Sequence, residues 1–438
     1  MVGQPVTFTD TTTGPHDQWD WTFPSGNPAS STSQAPEAVT WNVPGTYTVI
    51  LTTTNNGSAS STQHDIMIGT DRLMTSGKAD ATPMSDAGGN YLNVGQVDLT
   101  PGLWMVEGRA SVSGTAVTTA DPPSAAVYVR CALLANGTVV DGTVAVVTPT
   151  NTGMTIPVLA LVSVPAASTR QLVLACGHDE DLQPGHDLTL DAGSVIIATR
   201  ADSAITAAEP SRITLTAQIP FDLPSAGVWL VRSKAAIINY QTVNASAASQ
   251  NCHFDGADFD DNDRAAVATG TYGYAVSLAE PITVGGPSSF VMTCDATNAD
   301  DPQGQPYMDG GAKVVAIRVN YWAEQINNGS VFLTADGAQN DVVTRPIAVG
   351  RWLVQARLSL NAQDAQNDRV TCRLRTQNGT VVDSAGVDVK LGSPVRPMLL
   401  LATVTNPGSL TVSCGGAGGV GNPAIISPGA KIVATRID

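Results

Sequence analysis

Gly102-Leu-Trp-Met-Val106 recurs as Gly227-Val-Trp-Leu-Val231 and as Gly350-Arg-Trp-Leu-Val354. The three tryptophans lie 125 and 123 positions apart. A fixed period of this kind marks a repeated structural unit. Working outward, each copy closes on a second shared stretch: Gly193-Ser-Val-Ile-Ile-Ala-Thr-Arg200, Gly311-Ala-Lys-Val-Val-Ala-Ile-Arg318 and Gly429-Ala-Lys-Ile-Val-Ala-Thr-Arg436. Between these landmarks each copy holds two cysteines: Cys131 and Cys176, Cys252 and Cys294, Cys372 and Cys414. Their separations are 45, 42 and 42 residues. Apolar residues flank each repeated tryptophan at alternate sites, the mark of a strand with one face in a core. These tryptophans therefore read as core residues rather than sugar platforms. Trp41 and Trp322 stand outside the repeat register, which leaves their exposure open.

Copies one and three share a hairpin signal, Cys131-Ala-Leu-Leu-Ala-Asn-Gly-Thr-Val-Val140 and Cys372-Arg-Leu-Arg-Thr-Gln-Asn-Gly-Thr-Val-Val382. Asn-Gly between apolar strands favours a two-residue turn, because both residues tolerate positive φ. The composition agrees with strands throughout. The 438 residues are 42% hydrophobic, enough for several cores, and only 14% charged. Five Lys and six Glu stand against 17 Arg and 32 Asp. The missing pair are strong helix formers. Thr, Val, Ser, Gly, Asn, Asp and Pro fill the chain instead, which fits an all-β protein with Gly/Pro/Asx turns. About eight short strands per repeat, with turns every eight to twelve residues, read as a sandwich.

A net charge of −16 opposes nucleic-acid binding, which needs a basic footprint. No apolar run is long enough for a membrane-spanning helix, so no membrane insertion is expected. Met1–Asp10 carries neither a basic n-region nor an apolar h-region. Either the chain leaves the cell without a conventional signal, as a particle released by lysis would, or a signal has been removed ahead of Met1.

Val6-Thr-Phe-Thr-Asp10, Trp19-Asp-Trp-Thr-Phe23 and Gly45-Thr-Tyr-Thr-Val-Ile-Leu-Thr-Thr-Thr-Asn55 each alternate apolar and polar residues. Together they resemble a PKD domain, an immunoglobulin-like sandwich. Where that family often carries Gly-Asp-Gly, this chain has Pro24-Ser25-Gly26. The resemblance implies a binding or spacer module. The Trp strand, the cysteine pair and the closing Gly-x-x-x-x-Ala-x-Arg stretch resemble jelly-roll heads of the tumour-necrosis-factor/complement type. Variants of those heads occur in actinobacterial surface proteins and in phages of such hosts. The expected fold class is thus all-β: an N-terminal Ig-like (PKD) sandwich, then three tandem jelly-roll-like β-sandwiches. Expected domains are 1–69, 70–202, 203–320 and 321–438.

The six cysteines contain no C-x-x-C, and no His lies at ligand spacing in every copy. One disulfide per repeat is the expected use, with buried thiols as the alternative. Disulfides imply an extracellular working life.

Asp255, Asp258, Asp260, Asp261 and Asp263 crowd one loop of the second repeat. Close carboxylates repel unless solvated or bridged, and calcium takes six to eight oxygens. Calcium is the one cofactor the loop admits; a solvated loop is the alternative. His178-Asp-Glu-Asp181 with His186-Asp187 is a second acidic cluster. Paired carboxylates also raise glycoside hydrolysis, but the clusters differ between repeats and lie in turn-rich segments, against the fixed geometry that chemistry requires. Gly416-Ala-Gly-Gly-Val-Gly421 fits G-x-G-x-x-G formally, but Asn422-Pro423 follows and no helix opens to cradle a phosphate. No G-x-S-x-G or H-E-x-x-H is present. Glycosylation sequons at Asn56, Asn136, Asn244, Asn328 and Asn378 are mostly Asn-Gly turns.

These readings point to a non-enzymatic protein of a phage virion surface: a minor tail, fibre or tail-tip protein with a host-adhesion role. Its partners would be other virion proteins and a host cell-surface glycan. A capsid decoration protein and a secreted bacterial carbohydrate-binding or cell-surface module are the alternatives. Three repeats in one chain allow either a homotrimer or an internal pseudo-trimer.

Overall fold

The computed structural model describes residues 5–43, 45–68, 73–84, 88–116, 127–147, 153–166, 168–178, 182, 186–209, 211, 213–214, 216–240, 248–255, 262–267, 271–297, 307–334, 337–362, 368–389, 395–417 and 424–437. Every regular element among them is a β-strand. The chain divides into two compact units, Met1–Arg72 and Leu73–Asp438.

The first unit builds a four-stranded antiparallel sheet in the order Ser30–Ser31, Gln18–Thr22, Gly45–Asn55, Ser58–Ile68. Trp21, Phe23, Val39, Trp41, Val49 and Leu51 form its core. Trp41, whose exposure the sequence left open, is fully buried, and its indole N–H donates to Pro24 O at 2.8 Å. Phe8 and Phe23 pack against it, which is how a unit this small finds a core. Asn56-Gly57 closes the last hairpin with φ of 48° and 81°, the mirror-image turn that suits strand twist.

The second unit carries the three repeats. In chain order, the main strands of repeat one are Leu73–Gly77, Tyr91–Leu99, Gly102–Ala116, Val127–Ala135, Thr138–Val147, Gly153–Val164, Arg170–His178 and Val195–Ala201. Those of repeat two are Ala204–Glu209, Ala217–Leu223, Gly227–Tyr240, Ala248–Asp255, Asn262–Val267, Thr271–Val284, Ser288–Thr297 and Ala312–Val319. Those of repeat three are Trp322–Asn327, Asn340–Pro346, Arg351–Asn361, Asp368–Thr376, Val381–Val389, Arg396–Thr405, Ser409–Ala417 and Ala430–Arg436. In every repeat, strands one, eight, three and six pair in that order, and strands two, seven, four and five pair in that order. This interleaving of two sheets is the jelly-roll order.

Between the two sheets of each repeat lies a separate apolar core. Trp104, Trp229 and Trp352 sit in the three cores, each almost wholly buried. Each indole donates to the carbonyl four residues back, Thr100, Ser225 and Ala348. A tryptophan buried to this depth needs such a partner for its one polar atom. The closing arginine explains the glycine of the same motif. A Cβ on Gly102 would lie 2.9 Å from Arg200 Nε, and one on Gly227 would lie 2.8 Å from Arg318 Nε. Both glycines also hold positive φ, 141° and 139°, which disfavours any side chain there.

Asn136-Gly137 forms the expected two-residue turn, with φ of 50° and 80°. Repeat three has one residue more between its strands. There only Gly379 has positive φ, at 84°, and Gly379 N–H donates to Thr376 O. This is the three-residue loop solution to the same connection.

Candidate functional site: the junctions between repeats

Strands four and seven of each repeat are neighbours, and their cysteines fall directly opposite each other. Three disulfides result: Cys131–Cys176, Cys252–Cys294 and Cys372–Cys414. All six cysteines are buried within the repeat cores. No described cysteine is free. These bonds staple strands four and seven of each repeat, and bonds of this kind persist in oxidising surroundings.

Asp255 ends a strand, accepts from Thr293 Oγ1 and pairs with His253 at 3.0 Å. Asp263 lies on the next strand opposite Cys252. Asp258, Asp260 and Asp261 lie outside the described residues, as do Asp179, Glu180 and Asp181 and the end of the glycine loop. Among the described residues, no three acidic, His or Cys side chains converge as a metal site would require.

The chemistry that the structure does bring together lies between the repeats. Strand three of each repeat turns its Trp face inward and its other face toward the other repeats. Met105, Leu230 and Leu353 occupy one register position and meet in a shared apolar cluster with Leu159, Ile197, Ile317, Leu401 and Val433. Two residues on, the position is polar: Glu107, Arg232 and Gln355, all buried. Arg232 Nε pairs with Glu107 Oε1 at 3.2 Å and its other arm donates to Gln355 Oε1. Gln355 Nε2 then donates to Ser277 Oγ at 3.0 Å. Burial pushes the Glu107 carboxyl up and the Arg232 guanidinium down, and their mutual attraction opposes both shifts.

Two residues further the position is cationic: Arg109, Lys234 and Arg357. Burial alone pushes Arg357 down to about 9. Arg109 reaches from repeat one into repeat three, where it pairs with Asp383 at 2.6 Å. It also donates to Ser384 O and to Gly193 O of its own repeat. Lys234 reaches from repeat two into repeat one, where it pairs with Asp141 at 2.8 Å. Lys313 of repeat two pairs with the other oxygen of Asp141, also at 2.8 Å. Burial depresses Lys234, with Asp141 holding it up. A further crossing pair joins Lys431 of repeat three to Glu280 of repeat two at 2.5 Å.

Asp141 and Asp383 occupy one position on strand five, each just after a β-bulge. A bulge re-aims the following side chain. Each aspartate thereby accepts a backbone N–H from strand six of its own repeat, Leu159 at 2.9 Å and Leu401 at 2.7 Å. Strand six edges its sheet, and an edge N–H buried at a junction must find a partner. The same carboxylates then meet the neighbouring repeat's cation. Asp383 is nonetheless raised to about 6, because burial outweighs Arg109 and its two backbone donors.

Sequence reasoning missed all of these residues. A polar residue at alternate strand positions reads as a solvent-facing one. The one available signal was the apolar Met105, Leu230 and Leu353 beside each tryptophan, which makes both faces of strand three apolar at that level.

Fold and junctions together define an all-β protein of jelly-roll sandwiches joined by buried charge, with an Ig-like sandwich ahead of them. Residues 1–68 match the PKD domain family, as their aromatic strands led one to expect. No curated protein matches the chain. Among solved structures, similarity is found to a protein of Sulfolobus Turreted Icosahedral Virus, with 11% identity, 88% of this chain and 89% of that one covered, and a TM-score of 0.21. An archaeal-virus structure described by a triple jelly-roll fold and turret assembly shares 11% identity over 83% and 91% of the two chains, at 0.19. Carbohydrate-binding modules of the β-sandwich superfamily share 13% over 72% and 91%, at 0.18. Values this low transfer no ligand, assembly or activity.

Proposed function

We propose that this chain is a non-enzymatic structural and adhesive protein of a phage virion surface, in the tail, fibre or tail tip. The observation that carries the reading is the closure of three jelly-roll repeats around one apolar cluster within a single chain. In this reading the domains are 1–69, 70–202, 203–320 and 321–438, and the last three form an internal pseudo-trimer. The structure spends its buried charge on holding repeats together, as at Arg109–Asp383 and Lys234–Asp141. Three disulfides and a −16 charge suit a rigid, soluble scaffold outside the cell. The acidic loop around Asp255–Asp263 is the place to look for calcium, and a host glycan is the partner to look for.

Localisation in purified particles by labelled antibody, with copies counted per particle, tests the assignment. Three to about a dozen copies at the tail are the expected result, in line with closed small-number symmetry. Hundreds of copies on the capsid would make it a decoration protein. Absence from particles, with secretion by a bacterium, would overturn the virion reading.

A further inference from the structure

We propose that one end of repeat three holds a binding site for an N-acetylated hexosamine. This rests on the adhesion reading above and names the class of its glycan. A cavity of about 670 Å³ lies there between the loop 376–380, Val382 and the stretch 403–408. Ligand sites span roughly 300–1,000 Å³, so the size is suitable. No residue lining it is charged. An ion entering it would give up hydration and meet no counter-charge, so the site selects a neutral ligand.

One wall is a strand edge. Strand six, Arg396–Thr405, pairs with strand three on one side only. In an antiparallel pair, alternate residues turn both N–H and C=O away from the partner strand. Leu399 and Leu401 are two such residues. Their N–H groups donate outward, to Thr155 Oγ1 at 3.1 Å and to Asp383 Oδ2 at 2.7 Å. The register runs on without a shift to Thr403 and Thr405, opposite Leu353 and Arg351. These two therefore aim N–H and C=O the same way, and both line the cavity. Among the described residues, nothing in the chain takes those backbone groups up.

Two asparagines of the lining add donors whose orientation is fixed. Asn378 Oδ1 accepts from Thr376 Oγ1 and from Thr380 N–H. Asn406 Oδ1 accepts from Gly350 N–H at 2.8 Å. With its carbonyl oxygen held, each side chain keeps its NH2 for another acceptor. An acetamido group answers this arrangement. Its C=O accepts from an edge N–H and its N–H donates to an edge C=O, as an added strand would do. A peptide strand would find only these two positions, because Thr155 and Asp383 already hold the edge at Leu399 and Leu401. The ring hydroxyls would accept from Asn378 and Asn406, and its C–H face would lie on Val382 and Pro407.

The test titrates the full chain with N-acetylglucosamine and N-acetylgalactosamine, and with glucose and galactose, read by saturation-transfer NMR and calorimetry. At least one N-acetylated sugar should bind at a Kd of about a millimolar or tighter, and its parent hexose at least about tenfold more weakly. Thr403→Pro removes the edge N–H and should weaken binding by about tenfold. Asn378→Asp and Asn406→Asp keep the oxygen that holds each loop and remove only the NH2. Each should weaken binding at least about threefold at unchanged Tm, which decides the matter even if Thr403→Pro unfolds. No binding by either N-acetylated sugar, equal binding by the parent hexoses, or undiminished binding by both Asn→Asp variants overturns the proposal. Adsorption to actinobacterial cell walls separates the two readings. If the wild-type chain and both Asn→Asp variants adsorb equally, the pocket proposal fails and adhesion stands. If the sugar titration succeeds but the chain adsorbs to no wall, adhesion fails and the pocket stands.

Discussion

Two junctions in this molecule use the same positions and different chemistry. Where repeat one meets repeat three, Asp383 is held by a single buried guanidinium, Arg109, and by the backbone of Leu401 and Ser384. Where repeat two meets repeat one, Asp141 is held by two ammoniums, Lys234 and Lys313, and by the backbone of Leu159. Arginine is a planar fork that spans two carbonyls and a carboxylate at once; lysine is a point charge on a flexible stem. The first junction gathers two carbonyls and a carboxylate on one guanidinium, and the second has a cavity of about 250 Å³ beside its ammonium. The difference teaches that tandem copies of one strand need not be copies of one interface. Identical subunits around an axis would bring three identical side chains together, three arginines or three glutamates. Here Glu107, Arg232 and Gln355 meet instead, and one chain can use that asymmetry to fix which repeat sits next to which.

The sharpest way to break the comparison is to remove one cation from each side. Arg109→Ala leaves Asp383 buried without a cation, a change that costs about 3–5 kcal/mol. Lys234→Ala leaves Asp141 with Lys313 still at 2.8 Å, so the cost should be nearer about 1–3 kcal/mol. Guanidinium unfolding of the two variants reads the difference. Equal costs would mean that Lys313 does not share the charge of Asp141. Disulfides come next. Replacing both cysteines of any one repeat by Ala should cost about 2–4 kcal/mol, and the three losses should be alike because the closed loops are 45, 42 and 42 residues. A repeat whose loss is much larger would be the one on which the shared cluster depends.

Asp383 predicts a pH dependence with a definite sign. Its folded value, about 6, lies above the ordinary 3.8. The folded state therefore binds the proton more tightly than the unfolded chain does. The stability this group contributes is fully present below about 3.8 and is lost as pH rises through about 6, by up to about 3 kcal/mol. Asp383→Asn should flatten that part of the stability curve between pH 4 and 7. An unchanged curve would show that another carboxyl carries it, and Glu107, also raised by burial, is the first to examine.

How much of this could be read from the sequence depends on distance along the chain. The Trp strand, the cysteine pairs and the Asn136-Gly137 turn were legible, because local periodicity and local φ requirements specify them. The aromatic strands of the first unit were legible for the same reason, although Trp41 was not: what packs on it is Phe8 and Phe23, 33 and 18 positions earlier in the chain. The junction charges were illegible. Arg109 and Asp383 are 274 positions apart, and nothing local distinguishes a buried Arg on a strand from a solvated one. The cavity was illegible for the same reason, since its lining comes from two repeats, Arg130 to Val144 of one and Lys234 to Gly311 of the other.

The smallest expected effect sharpens the comparison from outside it. Arg375 and Asp341 of repeat three form a pair as short as Arg109–Asp383, 2.6 Å in both cases. Geometry alone would rank them equal. Their side chains are 31% and 62% exposed, against 0% and 4% for the junction pair. Water solvates the exposed charges almost as well as they solvate each other, and salt screens what remains. Arg375→Ala should therefore shift stability by less than about 1 kcal/mol, and the shift should shrink further in high salt. Arg109→Ala should keep its cost at the same ionic strength, because the Asp383 carboxylate it leaves behind stays out of reach of counterions. Unfolding of both variants in low and high salt separates the two. If Arg375→Ala cost as much as Arg109→Ala, burial would not be what gives the junction pair its weight.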